Sequence, residues 1–164
     1  MSIKFNIKTN QKKLAAKFKK LGAKLPRIID KGVKQAGFQL VEIIRTKTKK
    51  GIDFNDSPFA PYSEGYLNKL NREGKKTIVD LFYTGRMLGS LTPSSVKKTG
   101  KHKVSINFTN AEMRKRALFN QVLNDPKRKF FGFNSRTEKI ISKQFKRFVE
   151  KELRNFRIWV QEKT

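Results

Sequence analysis

Helical periodicity dominates the first third of the chain. A first predicted helix, which Asn10 can cap, has apolar residues three or four positions apart: Leu14, Phe18, Leu21 and Leu25. Pro26 predicts a break, or the first turn of a second helix. The same period then continues to about residue 50: Ile29, Val33, Ala36, Leu40 and Ile44. Gly32 and Gly37 would allow close packing on this second helix, and Gly51 is typical of a helix end.

The middle of the chain predicts short elements between loops. Two prolines place residues 53–63 in a loop, after which Ser63 can cap a short helix that Gly74 ends. The apolar run from Ile78 to Tyr83 predicts a buried strand, and Thr84 can cap another short helix after it.

The last part of the chain predicts a hairpin and two helices. The hairpin covers residues 93–109, with its turn at Thr99-Gly100-Lys101. Residues 110–123 predict a helix, residues 124–134 a second loop, and a long helix begins at about Ser135. A short strand is also predicted at the N-terminus, where three apolar residues alternate with polar ones: Ile3, Phe5 and Ile7.

These elements predict one α+β domain over residues 1–164. N-terminal helices, a small antiparallel β-sheet with a hairpin, and a long C-terminal helix packed on the sheet make up the expected fold. No apolar run approaches the roughly 18–20 residues that cross a bilayer, and the N-terminus lacks the apolar stretch of a secretory signal. We therefore expect neither a membrane partner nor export by that route.

The charge of the chain is strongly positive and unevenly distributed. The sequence has 39 basic and 13 acidic residues, a net charge of +26. Residues 1–50 carry 15 basic and 2 acidic side chains, residues 91–164 carry 19 and 6, and residues 51–90 carry 5 of each. Basic arms favour contact with nucleic acid or with an acidic protein surface. They also fit solvated helix faces in a protein from a lysine-rich genome, and charge alone reads no base sequence.

Residues that could bind a metal are few. The chain has no cysteine, so zinc would need His102, the only histidine, together with carboxylates. His102 is predicted to be exposed in the hairpin turn without a carboxylate partner. An EF-hand spacing is present at Asp53, Asn55, Ser57 and Glu64, but Pro58 stands where that loop needs glycine. We predict no metal and no cofactor.

A small metal-dependent nuclease is a further alternative. It would need two or three carboxylates that converge on a metal. Four residues could be proposed for this, although their spacing matches no nuclease pattern: Asp53, Asp56, Asp80 and Glu112. No catalytic residue is predicted.

The stretch from Gly51 to Leu91 carries a family resemblance. Its pieces are Phe59-Ala60-Pro61-Tyr62-Ser63, then Tyr66 and Lys69, then Ile78-Val79-Asp80-Leu81, then Thr84-Gly85-Arg86-Met87-Leu88-Gly89-Ser90-Leu91. Two more pieces follow in order, Leu118-Phe119-Asn120-Gln121 and Arg128-Lys129-Phe130-Phe131-Gly132-Phe133. Over roughly residues 30–155 the chain resembles the phage virion morphogenesis family, which includes the tail-completion protein of phage Mu. It departs from that family at Asn124-Asp125-Pro126, where members usually have a glycine, and in its basicity.

The resemblance implies a structural protein of the phage neck without enzymatic activity. Such a tail-completion or head–tail joining subunit would form a homo-oligomeric ring, expected to be a hexamer. The ring would lie between the portal or connector and the tail-tube or tail-terminator proteins. It would be assembled in the host cytoplasm and retained in the virion. Whether DNA passes non-specifically through the ring stays open.

Loop aromatics are the predicted contact residues of this ring. The chain has 14 phenylalanines, several of them in predicted loops, and a small domain cannot easily bury them all. The interface candidates are Phe54, Phe59 and Tyr62 from the first loop and Arg128, Phe130 and Phe131 from the second. The second loop also alternates cations with aromatics, so it could stack on bases or anchor in the protein's own core. A basic nucleic-acid-binding protein without enzymatic activity is therefore the main alternative.

Overall fold

The computed structural model of the protein describes the backbone of residues 11–162 and the side chains of residue 16 and residues 18–155. Within this range the helices are α1 (Gln11–Lys49), α2 (Glu64–Arg72), α3 (Arg86–Gly89), α4 (Ala111–Leu118) and α5 (Ser135–Glu162). Strands β1 (Val96–Gly100) and β2 (Lys103–Ile106) form an antiparallel hairpin. The predicted α+β fold is confirmed. The strand predicted at Ile3, Phe5 and Ile7 and the cap at Asn10 lie outside the described residues.

Helix α1 runs without interruption through Pro26, so the predicted break there is wrong. A proline inside a helix removes one backbone hydrogen bond and costs about 3 kcal/mol. The apolar period continues on both sides of Pro26, and Ile28 beyond it is buried. Burial of the face beyond Pro26, at Ile28, Val41 and Ile44, offsets the local cost of the proline.

Helix α5 packs antiparallel along α1. Lys47, near the end of α1, donates a hydrogen bond of 3.0 Å to Thr137 at the start of α5. Fifteen residues earlier, Gly32 lies so close to α5 that a Cβ atom there would be 2.8 Å from the Phe145 ring. The prediction that Gly32 permits close packing is confirmed. Asn134 caps α5 through a 2.9 Å hydrogen bond from the backbone N–H of Thr137.

The hairpin lies on the second half of α1. A Cβ atom at Gly37 would be 2.6 Å from Val96 of β1 and 3.3 Å from Val104 of β2. The hairpin turn lies at residues 101–102, where 99–101 was predicted, and His102 adopts a positive φ of 57° there. Close packing at Gly37 thus fixes the sheet on the helix.

The hydrophobic core joins α1 and the hairpin to the middle of the chain. Its buried members are Val41, Ile44, Phe59, Val79, Met87, Leu88, Leu91, Val96, Phe108, Met113, Ala117 and Phe130. Leu88 in the short helix α3 and Leu91 just after it have no exposed surface. Burial of these apolar side chains therefore stabilises α3. None of the described helices has the length and apolar composition needed to cross a membrane.

Two predicted details of the middle segment are wrong. Residues 78–83 form no strand; Val79 is buried, but Leu81 has a positive φ of 51° and the Asp80 carboxylate accepts a hydrogen bond from the Phe82 N–H. This local hydrogen bond replaces the ladder of a strand. The residue before α3 is Gly85, at a φ of 69°, and not Thr84, because only glycine enters that conformation without strain.

Candidate functional site

The two predicted loops are joined to each other. The backbone N–H of Phe54 donates a 3.1 Å hydrogen bond to the Lys129 carbonyl. The Arg128 guanidinium donates to the carbonyls of Ala60, at 3.3 Å, and Pro61, at 3.0 Å. Arg128 therefore ties the second loop to the first.

The second loop is also tied to the end of α4. A π-helical turn, Phe119–Leu123, follows α4. Gln121 in this turn exchanges two hydrogen bonds of 3.0 Å with the backbone of Phe131. The two downstream pieces of the family resemblance thus meet in space, and Gln121 holds them together.

Three of the six interface candidates are buried within the chain itself. Phe59, Arg128 and Phe130 are buried within the chain, Phe130 with only 1% of its surface exposed. The domain covers these loop aromatics itself because the two loops fold against each other. Phe54 and Phe131 are half-buried, Phe54 against Gly132 and Phe131 against the core. Of the six candidates, Tyr62 and Arg128 line an open cleft, Arg128 with little exposed surface of its own.

An open cleft of about 630 Å³ gathers all three tyrosines of the chain, and we call it the tyrosine cleft. Its walls include Tyr62, Tyr66, Tyr83, Met87, Arg116 and Phe119. A second depression of about 460 Å³ continues from it and shares the three tyrosines. The cleft therefore lies between the central segment and the end of α4.

Aromatic and charged contacts fix two of these tyrosines. The rings of Tyr62 and Tyr66 meet edge to face, with their centroids 4.8 Å apart, and Arg128 lies 4.9 Å from the Tyr62 centroid. Partial burial raises the pKa of both hydroxyls above the ordinary tyrosine value. A neighbouring tyrosine raises each pKa further, Tyr66 that of Tyr62 and Tyr83 that of Tyr66. Both hydroxyls are therefore neutral at physiological pH and act as hydrogen-bonding groups.

Tyr83 is held at the far wall of the cleft. Its hydroxyl donates a 2.8 Å hydrogen bond to Glu73, and Lys75 lies 3.3 Å from its ring centroid. The hydrogen bond from Tyr83, followed by that from Lys75, lowers the pKa of the Glu73 carboxyl. Tyr83 nevertheless keeps 44% of its surface exposed. Lys75 and Glu73 thus fix the position of the Tyr83 side chain, and much of its surface remains exposed to solvent.

Exposed apolar residues lie on both sides of the tyrosine cleft. On one side the α4 end and the π-helical turn expose four large side chains, each by about half: Leu118, Phe119, Val122 and Leu123. On the other side Phe82, which lines the second depression with Tyr83, is 41% exposed, and Ile78, four residues before it in the chain, is also exposed. Exposed apolar residues concentrated in this way are typical of a contact surface for another protein.

The acidic residues considered for a metal site have separate local partners. Asp53 accepts hydrogen bonds of 2.8 Å from the backbone of Asn55 and Ser57, and Asp56 pairs with Lys47 at 2.7 Å. Glu112 pairs with Arg116 on the same helix at 2.6 Å. Among the described side chains, no group of three or more histidine or acidic residues is arranged to hold a metal ion.

His102 differs from its prediction as an exposed residue without a carboxylate partner. Its ring Nδ1 lies 3.0 Å from a carboxylate oxygen of Asp30, and its backbone N–H donates to the same oxygen at 3.0 Å. Lys98 donates to the second oxygen of Asp30. Together these hydrogen bonds, that of Lys98 first, lower the pKa of Asp30 to about 2. Asp30 therefore docks the hairpin turn on α1.

The residues around the cleft that sequence reasoning missed are Tyr66, Tyr83, Phe119 and Arg116. A usable signal was present, because the chain has three tyrosines and all lie between residues 62 and 83. Phe119 and Arg116 had no such signal, since their approach depends on how the π-helical turn is folded. Comparisons of the chain with protein-family models, curated proteins and solved structures find no match.

Proposed function

We propose that the protein is a structural subunit of a phage neck, of the tail-completion or head–tail joining type. It assembles with copies of itself into a ring, and the tyrosine cleft with its flanking apolar residues is the principal contact surface. The observation that carries this proposal is the exposed aromatic and apolar surface around the least charged part of a very basic chain. Portal or connector proteins and tail-tube or tail-terminator proteins would be its neighbours in the virion.

The cleft has the chemistry of an interface centre. Tyrosine and phenylalanine supply large apolar area at a low cost in side-chain entropy, and aromatic anchors in pockets dominate many protein interfaces. Tyr62 and Tyr66 are already fixed by each other and by Arg128, so little ordering is needed when a partner binds. Much of the cleft comes from residues 51–90, which carry no net charge, and this limits local repulsion between subunits that each carry a net charge of +26.

The test compares two exposed phenylalanines. Phe119 lines the cleft and Phe18 lies on α1, with 53% and 64% of their surfaces exposed. We expect Phe119→Ser to weaken self-association at least about tenfold, because losing a buried phenylalanine costs roughly 1.5–3 kcal/mol. Phe18→Ser is the control and should leave the molar mass measured by light scattering unchanged. If the two substitutions weakened self-association equally, the cleft would not be the contact surface.

A second candidate, non-enzymatic binding of nucleic acid, is favoured by the pairing of the two basic arms. Helix α1 has 12 basic and 2 acidic residues, α5 has 8 and 4, and the two helices pack side by side. The two basic regions of the sequence therefore lie next to each other in the fold. Together they would bind the phosphates of a nucleic acid with an affinity that falls steeply as salt rises. This salt dependence distinguishes nucleic-acid binding from assembly through an apolar cleft.

A further inference from the structure

The two-stranded sheet has an open edge beside an apolar groove. β2 pairs with β1 on one side, and within residues 11–162 no other strand pairs with it. The β2 groove, of about 430 Å³, is lined mainly by Val33, Leu40, Val104, Ile106, Phe133 and Phe145. It includes residues of β2 but none of β1, so it runs along the open side of the sheet. An open edge with apolar surface beside it is a template for an added strand.

The chain contains a segment suited to this edge. Residues 3–7 alternate apolar and polar residues in the sequence, so in an extended strand Ile3, Phe5 and Ile7 would lie on one side. In a strand added to β2, these three side chains would lie on the same face as Val104 and Ile106, and so in the groove. The polar side chains of Lys4 and Asn6 would face away from it.

A copy of the chain cannot place this segment in its own groove. The groove begins at Val33, and 22 residues of α1 separate it from Gln11, roughly 33 Å at the helical rise. From Gln11, four residues back to Ile7 span at most about 14 Å, and six residues back to Phe5 about 22 Å. The donor of the strand therefore has to be a second copy.

We propose that residues 3–7 of one copy add as a third strand to the open edge of β2 in a neighbouring copy, with Ile3, Phe5 and Ile7 in the β2 groove. This rests on the self-assembly in the proposed function and gives that assembly a second, directional contact. Because donor and acceptor surfaces differ, the contact is head-to-tail, the kind that closes a ring.

Two substitutions that each add one lysine test the proposal. Phe5→Lys places a charge on the face that would enter the groove, and Asn6→Lys places it on the opposite face. We expect Phe5→Lys to raise the dissociation constant of self-association at least about tenfold, since the loss of one buried phenylalanine is of that size. Asn6→Lys should leave it within twofold. Equal behaviour of the two variants in light scattering, with an assembled wild type, would overturn strand addition alone. A monomeric wild type would overturn the ring as well.

Cross-linking identifies the occupant of the groove. The natural chain has no cysteine, so a sample mixed from Asn6→Cys and Ser105→Cys variants, one of them tagged, reports a single contact. We expect a disulfide-linked dimer with one chain of each kind. Thr99→Cys on β1 replaces Ser105→Cys as the control and should give none. Absence of the mixed dimer, or equal yields from both mixtures, would mean that something other than this segment occupies the edge.

Discussion

Single residues connect parts of this protein that are distant in sequence. Asp30 on α1 binds the hairpin turn 72 residues later, and Arg128 binds carbonyls 67 and 68 residues earlier. Local conformations could be predicted from residue type, as at Gly51 and Gly74, which end helices with φ values of 76° and 63°. Partners such as Asp30 and His102 could not, because their approach depends on how the hairpin lies on α1.

The Asp30 carboxylate makes the docking of the hairpin sensitive to acid. Its pKa is lowered to about 2, mainly by Lys98, whereas the pKa of an unfolded aspartate is ~4. A lowered pKa means that the contact stabilises the fold above pH ~4 and that this contribution is lost as the pH falls towards 2. Asp30→Asn should lower the urea midpoint at pH 7 and lose less stability than wild type between pH 4 and 2. If both proteins lost the same amount of stability between pH 4 and 2, Asp30 would not be the source of the acid sensitivity.

Two phenylalanines of the second loop should differ sharply in their effect on stability. Phe130 is almost fully buried and packs near Phe108, whereas Phe133 is 53% exposed. Phe130→Ala should lower the free energy of unfolding by about 3–5 kcal/mol through loss of buried area and the cavity left behind. Phe133→Ala, three residues away, should change it by less than about 1 kcal/mol. Chemical denaturation of both variants checks this, and a small loss for Phe130→Ala would show that the loop does not belong to the core.

At the scale of elements, periodicity predicted the helices better than their boundaries. The apolar stripe of α1 continues across Pro26 in the sequence, but proline inside a helix is unfavourable, so a break was predicted there. The packing of α1 against α5, which favours one continuous helix, cannot be read from the local sequence. The apolar run at residues 78–83 predicted a strand, yet Val79 is buried without a strand partner. The tyrosine cleft was only partly predictable, since one of its walls comes from α4 and the π-helical turn.

Two glycines of α1 give a matched test of helix packing. A Cβ atom at Gly37 would approach Val96 to 2.6 Å, whereas Gly22 has no neighbouring atom within 4 Å of that position. Gly37→Ala should destabilise the protein by about 1–3 kcal/mol because it overpacks the hairpin contact. Gly22→Ala should stabilise it by roughly 0.5–1 kcal/mol, since alanine is the better helix former. Thermal unfolding of the two variants in opposite directions confirms the close contact, and shifts of the same sign contradict it.

At the scale of the whole molecule, the fold separates two kinds of surface. The basic arms of the sequence meet in α1 and α5, and the near-neutral segment forms much of the tyrosine cleft and exposes apolar residues around it. The charge pattern along the chain predicted that two basic regions flank a neutral one. It could not predict that both basic regions pack together, because that depends on the antiparallel pairing of two helices more than 80 residues apart.

The most direct test of the proposed ring is the molar mass of the wild-type protein in solution, measured by light scattering from low to high salt, with and without duplex DNA. We predict one closed oligomer, six times the monomer mass, that persists as salt rises and neither needs nor retains DNA. Apolar contact accounts for this, because salt screens charge and not buried area. A monomer whose affinity for DNA falls steeply with salt would contradict the ring and favour the nucleic-acid-binding alternative.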